Sequence, residues 1–304
     1  MNIPYSELHA HSCYSVLDGL PTPEEYVIRA KELGLEAMAI SDHGTLAGHR
    51  DMYKAGIKHD MKIILGVEAY FNPGEVGEKL SKARRDEGEN AYHHIILLAK
   101  NDNGLRNLNL MSAEAWRTDF YQKPRVAMEL LDRYKEDIIV SAACVGGVIG
   151  RSIMNDDLEA ARDWAIKFKE VMGDDFYGEI HDSDDLIKPG YTKAMLEIMD
   201  SLDIPTIITS DCHYAREEDL WLEEALLILN TNPKKNPEYD GSKAQTMSML
   251  EKFNYLYPER RMTFQEVQVY LSSAQTKREK LLRWGIERED VFHNTVEISE
   301  KIGG

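Results

Sequence analysis

Seven short apolar runs alternate with amphipathic stretches along this chain, and that alternation limits the possible folds more than any single motif does. The runs cover residues 3–8, 36–41, 62–71, 94–99, 137–142, 176–180 and 205–209. Helical periodicity fills the gaps over 45–59, 104–115, 125–134, 157–171, 191–202 and 217–229. The clearest helix start is at Thr22, which can cap, with Pro23 in the first helical position and Glu25 completing a capping box; Gly34 stops that helix. Strands separated by helices imply a parallel sheet, and seven repeats predict a closed barrel rather than an open sheet. The 304 residues, 43% of them apolar, suffice to bury such a core. The barrel is expected to occupy residues 1–232. Asn232-Pro233-Lys234-Lys235-Asn236-Pro237 then breaks the pattern, and residues 233–304 read as a helical appendage, with helices over 264–283 and again from Glu289.

A parallel barrel places its working residues at the C-terminal ends of its strands, where the loops meet in one mouth. His9 and His11 follow the first run, His43 the second, Cys144 the fifth, and Asp211 with His213 the seventh. Side chains one apart on extended backbone point the same way, so His9-Ala10-His11 and Asp211-Cys212-His213 each aim two ligands into one cavity. With Asp18, Glu68 and His94 this is more ligand chemistry than one ion uses, which predicts a multinuclear metal site. Glu68 and His94 depart from the simple pattern, since Glu68 lies inside its run and His94 opens one. Taken alone, His94 reads as a packed histidine, Cys144 as a small buried hydrophobe and Leu17-Asp18-Gly19 as a turn.

Surrounding polar residues carry weaker expectations. Asp42 is expected to orient His43 through its second ring nitrogen. His181 suits either a substrate contact or a polar loop, and Asp182, Asp184 and Asp185 suit solvated acids. His49, His59 and His293 are assigned to helix surfaces. Tyr14, Arg117, Phe120 and Tyr121 either clamp a substrate or pack. Lys79, Lys82, Arg84 and Arg85 lie in a long polar segment and either meet a nucleic-acid backbone or remain a solvated charge run.

The net charge of -17 argues against a protein that grips nucleic acid through a broad basic face, although bound cations would supply positive charge locally. Three cysteines without framework spacing predict free thiols in a reducing compartment, with the cytoplasm as the expected location. No apolar run approaches the roughly 18 residues of a membrane span, and no apolar leader is expected in the first thirty residues.

In order along the chain, Leu8-His9-Ala10-His11-Ser12, Ser41-Asp42-His43-Gly44, Gly66-Val67-Glu68-Ala69-Tyr70, the segment from His94 to Asn101, Ser141-Ala142-Ala143-Cys144 and Thr209-Ser210-Asp211-Cys212-His213-Tyr214 resemble the successive motifs of the PHP (polymerase and histidinol phosphatase) family. The resemblance is strongest to the PHP domains at the front of bacterial DNA polymerase III α subunits. It implies a distorted seven-stranded (β/α)7 barrel that holds up to three divalent ions, commonly zinc, manganese or iron, and acts on phosphoesters. The implied ligands are His9, His11, Asp18, His43, Glu68, His94, Cys144, Asp211 and His213. Glu68 would bridge two ions, one held also by His9, His11 and Asp211 and the other by His94 and Cys144; Asp18, His43 and His213 would hold the third. Glu68, Asp211 and His11 are the expected catalytic residues. Some polymerase-attached members have lost several ligands, whereas all nine positions here are competent. The implied activity is hydrolysis of nucleic-acid ends, as a 3′-5′ exonuclease linked to replication. The alternatives are a phosphatase on small phosphomonoesters and a metal-stabilised scaffold that docks to DNA polymerase or other replication proteins.

Overall fold

A computed structural model describes residues 3–79, 81, 89–260 and 263–303. Lys82, Arg84 and Arg85 lie outside the described residues, and Lys79 is exposed. One sheet contains nine strands: β1 Ser6–Glu7, β2 Ala37–Ile40, β3 Lys62–Asn72, β4 His93–Ala99, β5 Phe120–Tyr121, β6 Lys123–Ala127, β7 Ile138–Ser141, β8 Phe176–His181 and β9 Thr206–Thr209. Seven of them run in the order β1-β2-β3-β4-β7-β8-β9. A parallel bridge between Ala10 and Cys212 joins the two ends, with His11 N–H donating to Cys212 O at 2.8 Å. The seven expected strands therefore make a nearly closed barrel in the expected order.

Two features depart from the sequence reading. β4 runs antiparallel to both β3 and β7. The helix expected over 125–134 begins only at Met128, because residues 123–127 form β6, which pairs in parallel with the end of β3 through Tyr70 and Arg125. Burial of Arg125 explains the change. Its guanidinium donates to Ala91 O at 3.0 Å and pairs with the buried Asp119.

The chain after residue 232 also differs in detail. The helix expected over 264–283 is confined to Ala274–Arg283, started by a Ser273 cap, and residues before it are irregular apart from a bridge between Tyr214 and Tyr270. An unexpected helix, Met249–Leu256, begins at a Ser248 and Glu251 capping box. The last helix, Asp290–Lys301, packs on β9 and β1.

Strand periodicity divides the core in two. Leu8, Ala37, Ala39, Ile64, Ile96, Leu98, Ile139, Tyr177 and Ile207 form one cluster together with Ile298 and Ile302. Their alternates, such as Met38, Ile40, Ile95, Leu97 and Val140, belong to the larger cluster that includes the surrounding helices. At the foot of the barrel Lys62 Nζ donates to Ile302 O at 2.9 Å and Gly303 N–H to Lys100 O at 2.9 Å. The floor is thus closed by the last helix, where burying Ile298 alone contributes about 2 kcal/mol. No helix among the described residues is long and apolar enough to cross a membrane.

Candidate metal centre

The direction of β4 accounts for His94. In an antiparallel strand the first residues lie level with the last residues of parallel neighbours, so His94 opens β4 and still reaches the mouth. The length of β3 accounts for Glu68. β3 pairs with β2 only from Lys62 to Leu65, then continues past the end of β2, where Glu68 bridges His43 in parallel and pairs across from Ile96. A residue inside a long strand is thereby at the rim of its shorter neighbour.

All nine expected residues converge, with Glu68 at the centre. Glu68 Oε1 lies 2.9 Å from His94 Nδ1, 3.4 Å from His9 Nε2 and 3.9 Å from Cys144 Sγ. Glu68 Oε2 lies 3.5 Å from His11 Nε2 and against His43 Nδ1. His9 Nε2, His11 Nε2 and Asp211 Oδ1 are each 3.1 Å from the other two. On the other side Asp18 Oδ2 lies 2.7 Å from His43 Nε2 and 3.7 Å from His213 Nε2. Cys144 Sγ is 3.5 Å from His94 Nδ1 and accepts from Gly146 N–H at 3.3 Å. A side chain at Gly146 would crowd the pair, since a Cβ would stand 3.0 Å from His94 Nδ1 and 3.3 Å from the sulfur.

The donor set fits divalent ions on two structural observations. His9 Nδ1–H donates to Glu179 Oε1 at 2.7 Å, which leaves the Nε2 lone pair facing the mouth; His213 Nδ1–H donates to Asp211 O at 2.8 Å with the same consequence. Glu68 Oε2 and His43 Nδ1 are buried and adjacent, yet neither makes a hydrogen bond of acceptable geometry. Ligand atoms about 2.0–2.2 Å from a tetrahedral zinc ion stand about 3.3–3.6 Å apart, a little wider than the spacing among His9, His11 and Asp211. A thiolate in the set favours zinc over magnesium, and the mixed N, O and S donors also admit manganese or iron.

Electrostatics point the same way. Burial opposes ionisation of Glu68, but His94 and His43 beside it hold its carboxyl well below the usual range. Burial likewise works against Asp18 and Asp211, and the neighbouring imidazoles overcome it. Burial lowers the basicity of His43 but Glu68 and Asp18 raise it to about 10; burial and its cationic neighbour His43 bring His11 down to about 3. The pocket thus demands positive charge beside its carboxylates, which ions would supply with release of protons.

Sequence reasoning missed Glu179. It lies on β8, and besides His9 it accepts from Thr209 Oγ1 at 2.7 Å, from Ser141 Oγ, and pairs with His181 Nε2 at 3.1 Å. A signal was available: Tyr177 faces the barrel interior, so Glu179 and His181, two and four residues on, face inward as well. His181 is buried beside His9, with ring centroids 5.4 Å apart, and its backbone N–H donates to Asp184 Oδ2 at 2.7 Å.

Other polar expectations are corrected. Asp182 and Asp184 are buried, not solvated; Asp182 pairs with Lys280 at 2.8 Å and accepts from Ser272 Oγ. Asp42 does not orient the His43 ring. It accepts from Ser12 N–H at 2.6 Å and from Ser15 Oγ at 2.9 Å, fixing the loop that carries Asp18. His49 is not merely a surface residue, since its Nε2–H donates to Gly66 O at 2.7 Å.

Glu223 on helix Leu220–Thr231 is fully buried with neither carboxyl oxygen hydrogen-bonded. Burial raises its pKa to about 8, with His213 opposing and Asp18 and Glu224 adding to the rise. A folded pKa above the unfolded value means the native state holds a proton that the unfolded state has released, so stability falls as pH climbs from about 4.5 to 8. Glu223→Gln removes that slope. In chelated protein the stability advantage of the variant, followed as melting temperature, should therefore grow from pH 5 to 8.5, reaching several kcal/mol in order of magnitude at about 1.4 kcal/mol per pH unit. An advantage that stays flat with pH would show that Glu223 titrates normally.

Residues 7–183 match the model of the PHP domain. DNA polymerase III subunit alpha of Aquifex aeolicus is 37% identical over 230 residues, covering 75% of this chain and 20% of that protein. The same subunit of Borreliella burgdorferi is 33% identical over 234 residues, covering 77% and 20%. The chain thus spans about a fifth of the length of these relatives. Among solved structures, a protein from Bifidobacterium adolescentis described as a candidate metal-dependent phosphoesterase aligns with a TM-score of 0.45 at 16% identity, over 92% of this chain and 96% of that one.

Proposed function

The chain belongs to the PHP domain family, and from that premise we propose that it is a metal-dependent phosphoesterase, acting on nucleic-acid ends as a 3′-5′ exonuclease in DNA replication. The observation that carries the proposal is the gathering of nine ligand-competent side chains around Glu68 at the barrel mouth. His9, His11, Asp211 and Glu68 would hold one ion, Glu68, His94 and Cys144 a second, and Asp18, His43 and His213 a third. Ions held there would lower the pKa of a water so that hydroxide is available at neutral pH, and would offset charge on the phosphoryl oxygens. Glu68 would be shared by two of the positions. Asp211 and His11 border the face open to substrate, where Asp211 keeps partial exposure. Glu179 holds His9 in the required tautomer.

The replication context and the choice of DNA rest on the DNA polymerase III subunit alpha relatives, of which this chain covers a fifth. The three free cysteines suit a cytoplasmic setting. The net charge of -17 favours a second reading, a phosphatase on small phosphomonoesters that needs no extended anionic strand. End-labelled single-stranded DNA incubated with manganese or zinc should shorten from its 3′ end, stop doing so with chelator, and stay intact with Asp211→Ala. Intact DNA alongside hydrolysis of p-nitrophenyl phosphate would establish the phosphatase instead, and ions that raise the melting temperature without any turnover would leave a scaffold.

A further inference from the structure

We propose that the β5–β6 hairpin and the end of helix Asp102–Thr118 form a binding track for single-stranded DNA, with Trp116 and Phe120 as a base-stacking platform and Lys123 as a phosphate contact at the mouth. It deepens the nuclease reading of the centre and rests on it for the identity of the strand.

Trp116 and Phe120 are 57% and 49% exposed, and their rings stack on each other at 5.0 Å with only 20° between planes. Two large aromatic side chains held parallel in solvent forgo the burial that such residues normally obtain. Their flat faces suit any base, because every base offers a π-face. The hairpin carries this platform to the metal centre. Phe120 pairs with Pro124 and Tyr121 with Lys123 around Gln122, which adopts left-handed backbone at φ 64°. Lys123 Nζ lies 5.2 Å from the Tyr70 ring centroid. The Tyr70 ring in turn stacks on His43 at 6.3 Å and meets His94 edge-on at 6.1 Å. One ring thus separates the Lys123 ammonium from two residues of the centre.

Lys123 is exposed and makes no ion pair with a carboxylate among the described residues, in a chain whose acids outnumber its bases by seventeen. A cation with no carboxylate partner among the described residues suits the phosphate beside the one being cleaved. The track is anchored: β6 bonds to β3, and the buried Arg125 pairs with Asp119 at the end of the platform helix. A protein partner would use the exposed rings equally well, but it would not explain a cation placed in line with the centre.

The test is fluorescence anisotropy of a labelled, phosphorothioate-linked (dT)12 titrated with metal-loaded protein at several salt concentrations. Trp116→Ala/Phe120→Ala should weaken binding at least about tenfold. Lys123→Ala should weaken it and reduce the salt slope by about one. Trp221→Ala, which removes an exposed tryptophan from another helix, should leave affinity unchanged. Affinities of the track variants within twofold of the parent, or no binding by the parent protein, would overturn the track. Hydrolysis of bis(p-nitrophenyl) phosphate by the parent protein reports on the phosphoesterase reading separately: turnover with unaltered variant affinity sinks only the track, and weakened variants without turnover sink only the hydrolase.

Discussion

Glu68→Gln should lower kcat/KM for phosphoester hydrolysis by about 10³-fold or more while the barrel remains folded. The substitution keeps shape and volume, so the core around residue 68 is not opened. It changes the one carboxylate that approaches His9, His11, His43, His94 and Cys144 together. An amide offers one acceptor and no charge, and an NH2 aimed at histidine lone pairs repels the ions those lone pairs would bind. Two ion positions should fail together. A 10³-fold loss corresponds to about 4 kcal/mol of transition-state stabilisation, the scale expected when a charge-stabilising element is removed from a closed site. Two measurements check this: turnover of a chromogenic phosphodiester, and metal content by plasma mass spectrometry, which should fall by about two ions per chain. A variant that retained full metal and a tenth of the activity would remove Glu68 from the centre.

That His9, His11, His43, Cys144, Asp211 and His213 share one mouth was legible because side chains at strand ends form a local pattern; Asp18, Glu68 and His94 joined them only through the family resemblance. What the sequence hid was direction and length. β4 carries the same apolar signature whichever way it runs, so His94 looked misplaced until its neighbours were seen to be antiparallel. Glu68 looked misplaced because β3 outruns β2, a property of the pair and not of either segment. Arg125 was read on a helix, since nothing local announces that its guanidinium is held by Asp119 and by the carbonyl of Ala91. Glu179 was missed for a different reason. Inward period-2 placement made it visible in principle, but an acid on an otherwise buried strand draws notice only once His9 is known to need a partner.

Removing the ions should destabilise the protein, and increasingly so as pH rises. An ion present at a thousandfold excess over its Kd contributes about 4 kcal/mol, which for 304 residues is about 6 °C in melting temperature for each ion held. The pH dependence follows from what replaces the ions. In chelated protein, burial opposes charging of His43 and His213, but their carboxylate neighbours raise them to about 10 and about 9. A histidine raised in the native state contributes stability that is fully present below its unfolded value near 6.5 and is lost as pH climbs through the raised one. Protons therefore partly stand in for ions at pH 6 and cannot do so at pH 9.5. His11, lowered to about 3, is neutral in the native state throughout; the proton its unfolded form releases near pH 6.5 adds a small opposing slope at the low end of the window only. Ions compete with those protons, so their advantage widens in the same interval. Calorimetry of loaded and chelated protein at pH 6, 8 and 9.5 should show the melting-temperature gap growing across the series. A gap that shrank with pH would mean the imidazoles are neutral without metal, and an absent gap would mean that the nine side chains are arranged for packing and not for ions.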